Sequence, residues 1–192
     1  MRDTSLKLLG FNRNGAMMRA AAWWGRLDSK YDALLAANFN MRCPENRWIL
    51  LTRYRIWAIY QGYSRELTLD SLERFTFSYD SSRLDQTGNQ LEASGDKKDN
   101  ITRSSSGRWL FNVPTSEGNH FQIEITLEME PYVNSTVMRI SRKAASESEK
   151  NLLANDKKIE IIIRPDVESR SFHDTVKAWT GPEHQWRSAI RS

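Results

Sequence analysis

Apolar and polar residues alternate along most of the chain after residue 45, and this period of two predicts antiparallel β-strands. In residues 120–130, for example, Phe, Ile, Leu and Met fall on one side and mainly Glu, Gln and Thr fall on the other. A turn at Asn134-Ser135 then predicts a hairpin with the next strand. We expect the last strand to end at Arg164-Pro165, because proline has no backbone N–H to donate. Strands are predicted at residues 65–69, 72–78, 108–113, 120–130, 136–142 and 159–163.

Residues 48–60 predict a strand of a different kind, because both of its faces are largely apolar. In a two-layer sandwich, the opposing sheet covers only one face of such a strand. The second face therefore needs another cover. We expect that cover to be either an N-terminal helix folded back over the sheet or a partner domain.

The N-terminal 27 residues predict a short helical segment. Residues 16–24 are rich in helix-forming Ala and Met, Asn14 is a possible cap, and Gly25 is placed to end the helix. Residues 31–38 predict a second short helical or irregular stretch. The expected fold is mainly β, with a helical segment at 1–27 and an antiparallel β-sandwich over 28–192. Residues 78–107 are rich in Ser, Asp, Asn and Gly and predict a mobile polar insertion.

Composition narrows the class of protein. With 39% hydrophobic and 27% charged residues among 192, the chain is neither wholly disordered nor a coiled-coil rod. It has no apolar run that could span a membrane and no recognisable leader, so we expect a cytoplasmic protein without a membrane partner. The net charge is +7 over residues 1–65 and −3 over the remainder. The basic residues form no run or motif, so no nucleic-acid partner is predicted.

Catalytic and cofactor motifs are absent from the sequence. There is no nucleophile elbow, dinucleotide or phosphate loop, or zinc-protease motif, and the three histidines and Cys43 have no metal-ligand spacing. The glutamates of 120–130 fall on a solvent face, which cannot raise a carboxyl pKa as a general acid requires. We predict no catalytic residue, metal or cofactor in this chain.

Two regions carry candidate binding residues. Residues 161–174 combine a buried strand with a loop that contains Arg164, Asp166, Arg170 and His173. Strand ends often present functional groups, but ion pairs that only stabilise the loop explain these residues equally well. We expect most of the seven tryptophans to lie in the core. The exceptions are Trp179 and Trp186 in the polar tail, which could stack on a carbohydrate or pack on a neighbouring domain.

Two motifs in this chain resemble a known family. The sequence from Arg164 to His173 resembles the Arg-Pro-x-x-x-x-Arg-x-(Tyr/Phe)-His pattern in the N-terminal domain of glycogen debranching enzymes of the amylo-α-1,6-glucosidase type. Ser29-Lys30-Tyr31-Asp32-Ala33-Leu34-Leu35 resembles their Arg-Arg-Tyr-His-Gly-Leu-Leu motif, with Lys30 and Asp32 at the usual Arg and His positions. A third segment, Arg47-Trp48-Ile49-Leu50-Leu51-Thr52-Arg53, lies where a strand follows this motif in the family, and the order and approximate spacing agree over about residues 28–186.

The resemblance implies a β-sandwich that leads into an (α/α)₆ barrel, a glycoside hydrolase domain that carries the catalytic carboxylates. The sequence ends at Ser192, before such a barrel, so it is uncertain whether the protein is an enzyme and we expect this chain alone to be non-catalytic. By this resemblance, its motif residues position the barrel, in cis or in trans, or border the α-glucan cleft. They are Lys30, Tyr31, Asp32, Arg164, Asp166, Arg170 and His173.

Two alternatives remain open from the sequence. The chain could be a free-standing carbohydrate-binding module, with Trp179 and Trp186 as its stacking platform. It could also be an inactive interaction domain from a split gene. If a docking face is left uncovered, we expect the isolated chain to form a homodimer.

Overall fold

The computed structural model describes residues 6–23, 25–40, 42–43, 45–79, 82–84, 90–91, 105–145 and 151–174. All regular elements in these residues are strands, and none is a helix. The strands are β1 (Lys7–Phe11), β2 (Met17–Ala21), β3 (Ala33–Asn38), β4 (Arg47–Tyr60), β5 (Tyr63–Glu66), β6 (Leu72–Tyr79), β7 (Ser82–Leu84), β8 (Gln90–Leu91), β9 (Ser106–Pro114), β10 (His120–Met129), β11 (Thr136–Arg142) and β12 (Glu160–Ser171).

The strands form two antiparallel sheets. The first sheet has the order β1-β2-β3-β4-β12, and β5 also pairs with β4. The second sheet has the order β11-β10-β9-β6-β7-β8. The hairpin of β10 and β11 is in register from Ile123 opposite Arg142 to Met129 opposite Thr136. The mainly β, antiparallel character predicted from the sequence is therefore confirmed.

The two sheets share one main hydrophobic core. Trp109 is fully buried, and its indole N–H donates a 2.6 Å hydrogen bond to the carbonyl of Ala22, which joins the second sheet to the loop after β2. Burial of one large apolar side chain contributes roughly 1.5–3 kcal/mol, so this core dominates the stability of the fold. Its large members include Leu8, Met18, Leu34 and Ile56 from the first sheet, and Phe75, Phe77, Trp109 and Phe111 from the second.

The predicted N-terminal helix is wrong, because residues 17–21 of the stretch assigned to it form β2. Met17 and Met18 point to opposite sides of this strand and are both buried. Helix propensity differs by less than about 1 kcal/mol between ordinary residues, so pairing with β1 and burial on both faces outweigh it. The stretch 31–38 also differs from the prediction, since β3 occupies residues 33–38.

The prediction that a strand ends at Pro165 is also wrong, because β12 continues to Ser171. Pro165 lies opposite Tyr54 of β4, and among the described residues β4 is the only strand paired with β12. A strand with a neighbour on one side tolerates a missing N–H on the other. The pairing register shifts on each side of Val167, so the strand remains paired through an irregularity.

The predicted polar insertion is described only in part. Short pieces of it form β7 and β8 at the edge of the second sheet, while β6 and β9 extend into its two ends. Residues 80–81, 85–89 and 92–104 lie outside the described residues. Within the described part of the chain, no helix is long and apolar enough to cross a membrane.

The two apolar faces of β4 meet different surroundings. One face supplies Leu51, Ile56 and Ala58 to the main core. Ile49 instead joins a second, smaller cluster with Met17, Ala33, Ala36 and Phe172. No helix covers this second face in the described residues; Tyr31 and Phe172 cover one part of it from the loops. Trp48 stays 43% exposed and Trp57 is half-buried.

Candidate functional site

The two sequence motifs meet at one place, where the loop between β2 and β3 contacts the end of β12. We call this place the junction and define it as residues 28–32 and 168–174. Arg170 is its central side chain and is only 9% exposed. Its guanidinium donates to the carbonyls of Lys30, at 2.7 Å, and Asp174, at 3.1 Å, and to the carboxylate of Glu168. Arg170 therefore ties the loop to the strand.

A second set of contacts runs in the opposite direction, from the loop to β12. The Lys30 ammonium donates to the carbonyl of His173 at 2.6 Å and lies 5.1 Å from the centre of the Tyr31 ring. The Tyr31 ring packs on Phe172, with ring centres 4.8 Å apart, and edge-on to His173, at 5.9 Å. Phe172 is buried in the second cluster, whereas Lys30 and His173 are exposed. The junction therefore has an apolar base and polar groups at the surface.

Asp32 organises the loop from the inside. Its carboxylate is 1% exposed and accepts hydrogen bonds from the backbone N–H groups of Asp28, at 2.7 Å, and Ser29, at 3.0 Å. Lys7 and Arg19 each approach this carboxylate at 3.3 Å. A buried charge is tolerated when it is paired and hydrogen-bonded in this way. Asp32 is therefore a structural residue, and its side chain is not available to a ligand.

Lys7 also bonds to the second carboxylate of the loop. Its ammonium donates to Asp28 at 2.8 Å, and this hydrogen bond holds the pKa of the Asp28 carboxyl below its ordinary value. The nearby charges of Lys7 and Arg26 act in the same direction, whereas partial desolvation opposes them. The ionised form of Asp28 is thus the one that stabilises the loop.

Three arginines surround Asp166 on the outer face of the first sheet, and we call this group the arginine cluster. Arg53 is 2.6 Å from the Asp166 carboxylate, while Arg55 and Arg164 are at 3.8 and 3.9 Å. Register places Arg55 opposite Arg164 and Arg53 opposite Asp166, so all four side chains share one face. Arg53 also donates to the carbonyl of Gly25 at 2.8 Å. The cluster therefore contacts the same loop as the junction.

The structure separates the predicted site residues into three groups. Lys30, Tyr31, Asp32, Arg170 and His173 meet at the junction. Arg164 and Asp166 lie in the arginine cluster, and Trp179 and Trp186 lie outside the described residues. Asp166 and Arg170 both form ion pairs. Such pairs are one of the two interpretations that the sequence left open, the other being functional groups at a strand end.

Some residues of these sites were missed by the sequence reading. Arg53 and Arg55 share a parity that places them on one strand face, but only the register shows that this face meets Arg164. Lys7 and Arg19 belong to a region that we predicted to be helical or left unassigned. Phe172 occupies the (Tyr/Phe) position of the motif, but nothing in the sequence indicated that its ring joins the second cluster.

The polar groups of the two sites include arginines, a lysine, a histidine and carboxylates paired with the arginines. Asp166 and Glu168 each face arginine, whereas glycoside hydrolysis needs two carboxyl groups flanking one bond. In the described ranges, no group of three His, Cys, Asp or Glu side chains could hold a metal ion. The sites offer cations, an exposed imidazole and a partly exposed tyrosine ring.

The fold and the sites define a mainly β domain with a charged and aromatic surface along one sheet. The family model described as glycogen debranching enzyme N terminal matches residues 7–190. This match covers nearly the whole chain, which therefore belongs to the family of glycogen debranching enzyme N-terminal domains, as the motifs indicated. No curated protein and no solved structure matches the chain.

Proposed function

We propose that this chain is the non-catalytic N-terminal β-sandwich domain of a debranching-type α-1,6-glucosidase. In this proposal it acts in the breakdown of glycogen or a related α-glucan. It docks to the catalytic (α/α)₆ barrel, in cis or in trans, and the junction borders the glucan cleft of that barrel. The family match supports the identity of the domain, and the geometry of the junction supports the docking role.

The observation that carries the proposal is the convergence of the two motifs. Arg170 and Lys30 are 140 residues apart in sequence, yet they are joined by a 2.7 Å hydrogen bond. Buried Arg170, Asp32 and Phe172 hold the loop and the strand, so the exposed side chains above them are presented from a fixed base. A preorganised base of this kind reduces the entropy cost of binding a partner.

The exposed groups of the junction suit either a protein surface or a sugar. The Lys30 ammonium can donate hydrogen bonds, and the His173 imidazole can donate and accept them. The partly exposed ring of Tyr31 adds an apolar surface between them. These groups can hydrogen-bond to the hydroxyls of a sugar or to a polar protein surface, and the ring can pack on either.

The test uses a complete two-domain protein in which this chain precedes a debranching barrel. His173→Ala should lower kcat/KM for glucose release from an α-1,6-branched glucan by about 10-fold, if His173 contacts the barrel or the glucan. The matched control is His120→Ala, because His120 lies on β10 in the second sheet. Unchanged kinetics and unchanged domain docking in His173→Ala would contradict the proposal.

The alternatives predict different results. A free-standing carbohydrate-binding module should be retarded in native gels that contain glycogen, and changing both Trp179 and Trp186 to Ala should abolish the retardation. An inactive interaction domain should bind neither glycogen nor a barrel. Cytoplasmic location and homodimer formation by the isolated chain remain predictions.

A further inference from the structure

We propose that the arginine cluster, with the apolar side chains beside it, is the surface that receives an acidic segment of the catalytic barrel. The proposal rests on the proposed function, because it names the chemistry of the surface that the barrel presents. It also assigns two different roles along β12. The arginine cluster binds the barrel, and the junction borders the glucan cleft.

The charges of the arginine cluster do not cancel. Arg53, Arg55 and Arg164 contribute three positive charges, and Asp166 contributes one negative charge. Arg53 donates hydrogen bonds to the Asp166 carboxylate and the Gly25 carbonyl and is the least exposed of the three arginines. The four side chains of the cluster therefore carry a net charge of +2, and Arg55 and Arg164 contact Asp166 only through the two longer ion pairs.

Arg55 and Arg164 are placed to receive an external carboxylate. Their guanidinium nitrogens are 3.8 and 3.9 Å from Asp166, which is too far for a hydrogen bond. Their side chains are 41% and 65% exposed, and they lie directly opposite each other on β4 and β12. Among the described residues, neither guanidinium has a closer acidic partner. A planar guanidinium matches a carboxylate through two parallel N–H bonds, so two adjacent ones suit acidic side chains.

Apolar side chains continue the same face by one step along the two strands. Ile162 is 49% exposed and lies opposite the half-buried Trp57. Protein interfaces typically combine an apolar centre containing aromatic residues with arginines. Nucleic acids and anionic membranes bind through longer tracks of basic residues. A protein partner therefore fits this face best.

Charge also argues against two occupants that the chain itself could supply. A second copy docked through the same face would bring the same +2 cluster against this one. Residues 175–192 contain Lys177, Arg187 and Arg191 against Glu183, so this tail is basic as well. An acidic partner is the occupant with complementary charge.

The experiment measures binding of the full 192-residue chain to a separately produced (α/α)₆ barrel of a debranching enzyme, by calorimetry at low and at physiological salt. The double variant Arg55→Glu/Arg164→Glu should weaken binding at least about 30-fold, and Arg55→Gln/Arg164→Gln should weaken it less. The matched control is Arg108→Glu/Arg139→Glu, which reverses two exposed arginines on the second sheet and should bind like the wild type. Near-ultraviolet circular dichroism checks that every variant is folded.

The outcomes distinguish this proposal from the proposed function. If the wild type and the cluster variant bind the barrel equally, the arginine cluster is not the docking surface, although the docking role stands. If Arg55→Glu/Arg164→Glu and Arg108→Glu/Arg139→Glu weaken binding equally, only the overall charge matters and the proposal is overturned. If the wild type does not bind the barrel, both proposals fail. A wild-type dimer that the cluster variant abolishes would identify a second copy as the occupant and would overturn the acidic-partner assignment.

Discussion

Replacing Arg170 by alanine should release the loop that carries Lys30 and Tyr31. The side chain is buried and donates to three acceptors, of which the Lys30 carbonyl and the Glu168 carboxylate are the closest. Alanine can satisfy neither acceptor. The junction would lose the contacts that join its two segments.

The size of the effect follows from these contacts. A hydrogen bond that involves a charged group contributes roughly 1.5–3 kcal/mol to stability. Glu168 is 28% exposed and can be partly rehydrated, so the low end of this range applies to each of the two close bonds. Arg170→Ala should therefore reduce the free energy of unfolding by about 3 kcal/mol. Arg170→Lys should recover only part of this loss, because an ammonium cannot reproduce the planar fork.

Urea unfolding followed by tryptophan fluorescence at pH 7 measures the effect. With an m-value of about 2 kcal/mol/M, a loss of about 3 kcal/mol lowers the midpoint by roughly 1.5 M. The matched control is Arg164→Ala on the same strand, whose side chain is 65% exposed and has one ion pair at 3.9 Å. This exposed pair should contribute no more than about 0.5 kcal/mol.

Hydrogen exchange gives a second readout of the same change. The backbone N–H groups of Asp28 and Ser29 are bonded to Asp32 within the loop, and their protection should fall in Arg170→Ala. Their protection should be unchanged in Arg164→Ala. If the two alanine variants have the same midpoint and the same loop protection, Arg170 does not hold the junction together.

Two further predictions concern the core and acid stability. A Cβ at Gly107 would overlap the Trp109 ring, so Gly107→Ala should cost about 1–3 kcal/mol and change the near-ultraviolet tryptophan signal. A Cβ at Gly118 meets no atom within 4 Å, but the φ of +81° strains the backbone, so Gly118→Ala should lower stability without changing the near-ultraviolet tryptophan signal. The same change of signal in both variants would contradict the packing. Because Lys7 lowers the pKa of Asp28, this pair stabilises the fold above the unfolded pKa of about 4, and the contribution is lost as pH falls through the lower folded value. Asp28→Asn should therefore flatten the change of the urea midpoint between pH 5 and pH 2, and an unaltered profile would count against the pairing.

Local pattern was sufficient for the regular strands. Residues 136–142 were predicted and observed as a strand with the same bounds, and 120–130 differ from β10 by one residue. Alternation of apolar and polar residues predicts such strands well, because successive side chains face the core and the solvent in turn. The family motifs were also local. They marked Lys30, Tyr31, Arg170 and His173 as candidate binding residues without any knowledge of their contacts.

Strand pairing between distant segments determined the elements that were predicted wrongly from the sequence. Residues 17–21 are good helix formers, but they gain partners in β1 and contacts with both hydrophobic clusters. A proline interrupts a strand only where a neighbouring strand needs its missing backbone N–H. Whether Pro165 meets this condition depends on which strands lie beside β12, and in the described residues only β4 does. Neither fact can be read from the neighbours of these residues in sequence.

By itself, the sequence determined the family, the predominance of antiparallel strands and the residues that carry the motifs. Only the tertiary structure showed that Arg170 reaches Lys30 and that Arg164 lies opposite Arg55. The physical reason is that strand register sets which side chains meet, and register depends on hydrogen bonds between distant segments. A shift of one residue in β12 would place Arg164 on the core face and remove the arginine cluster from the surface.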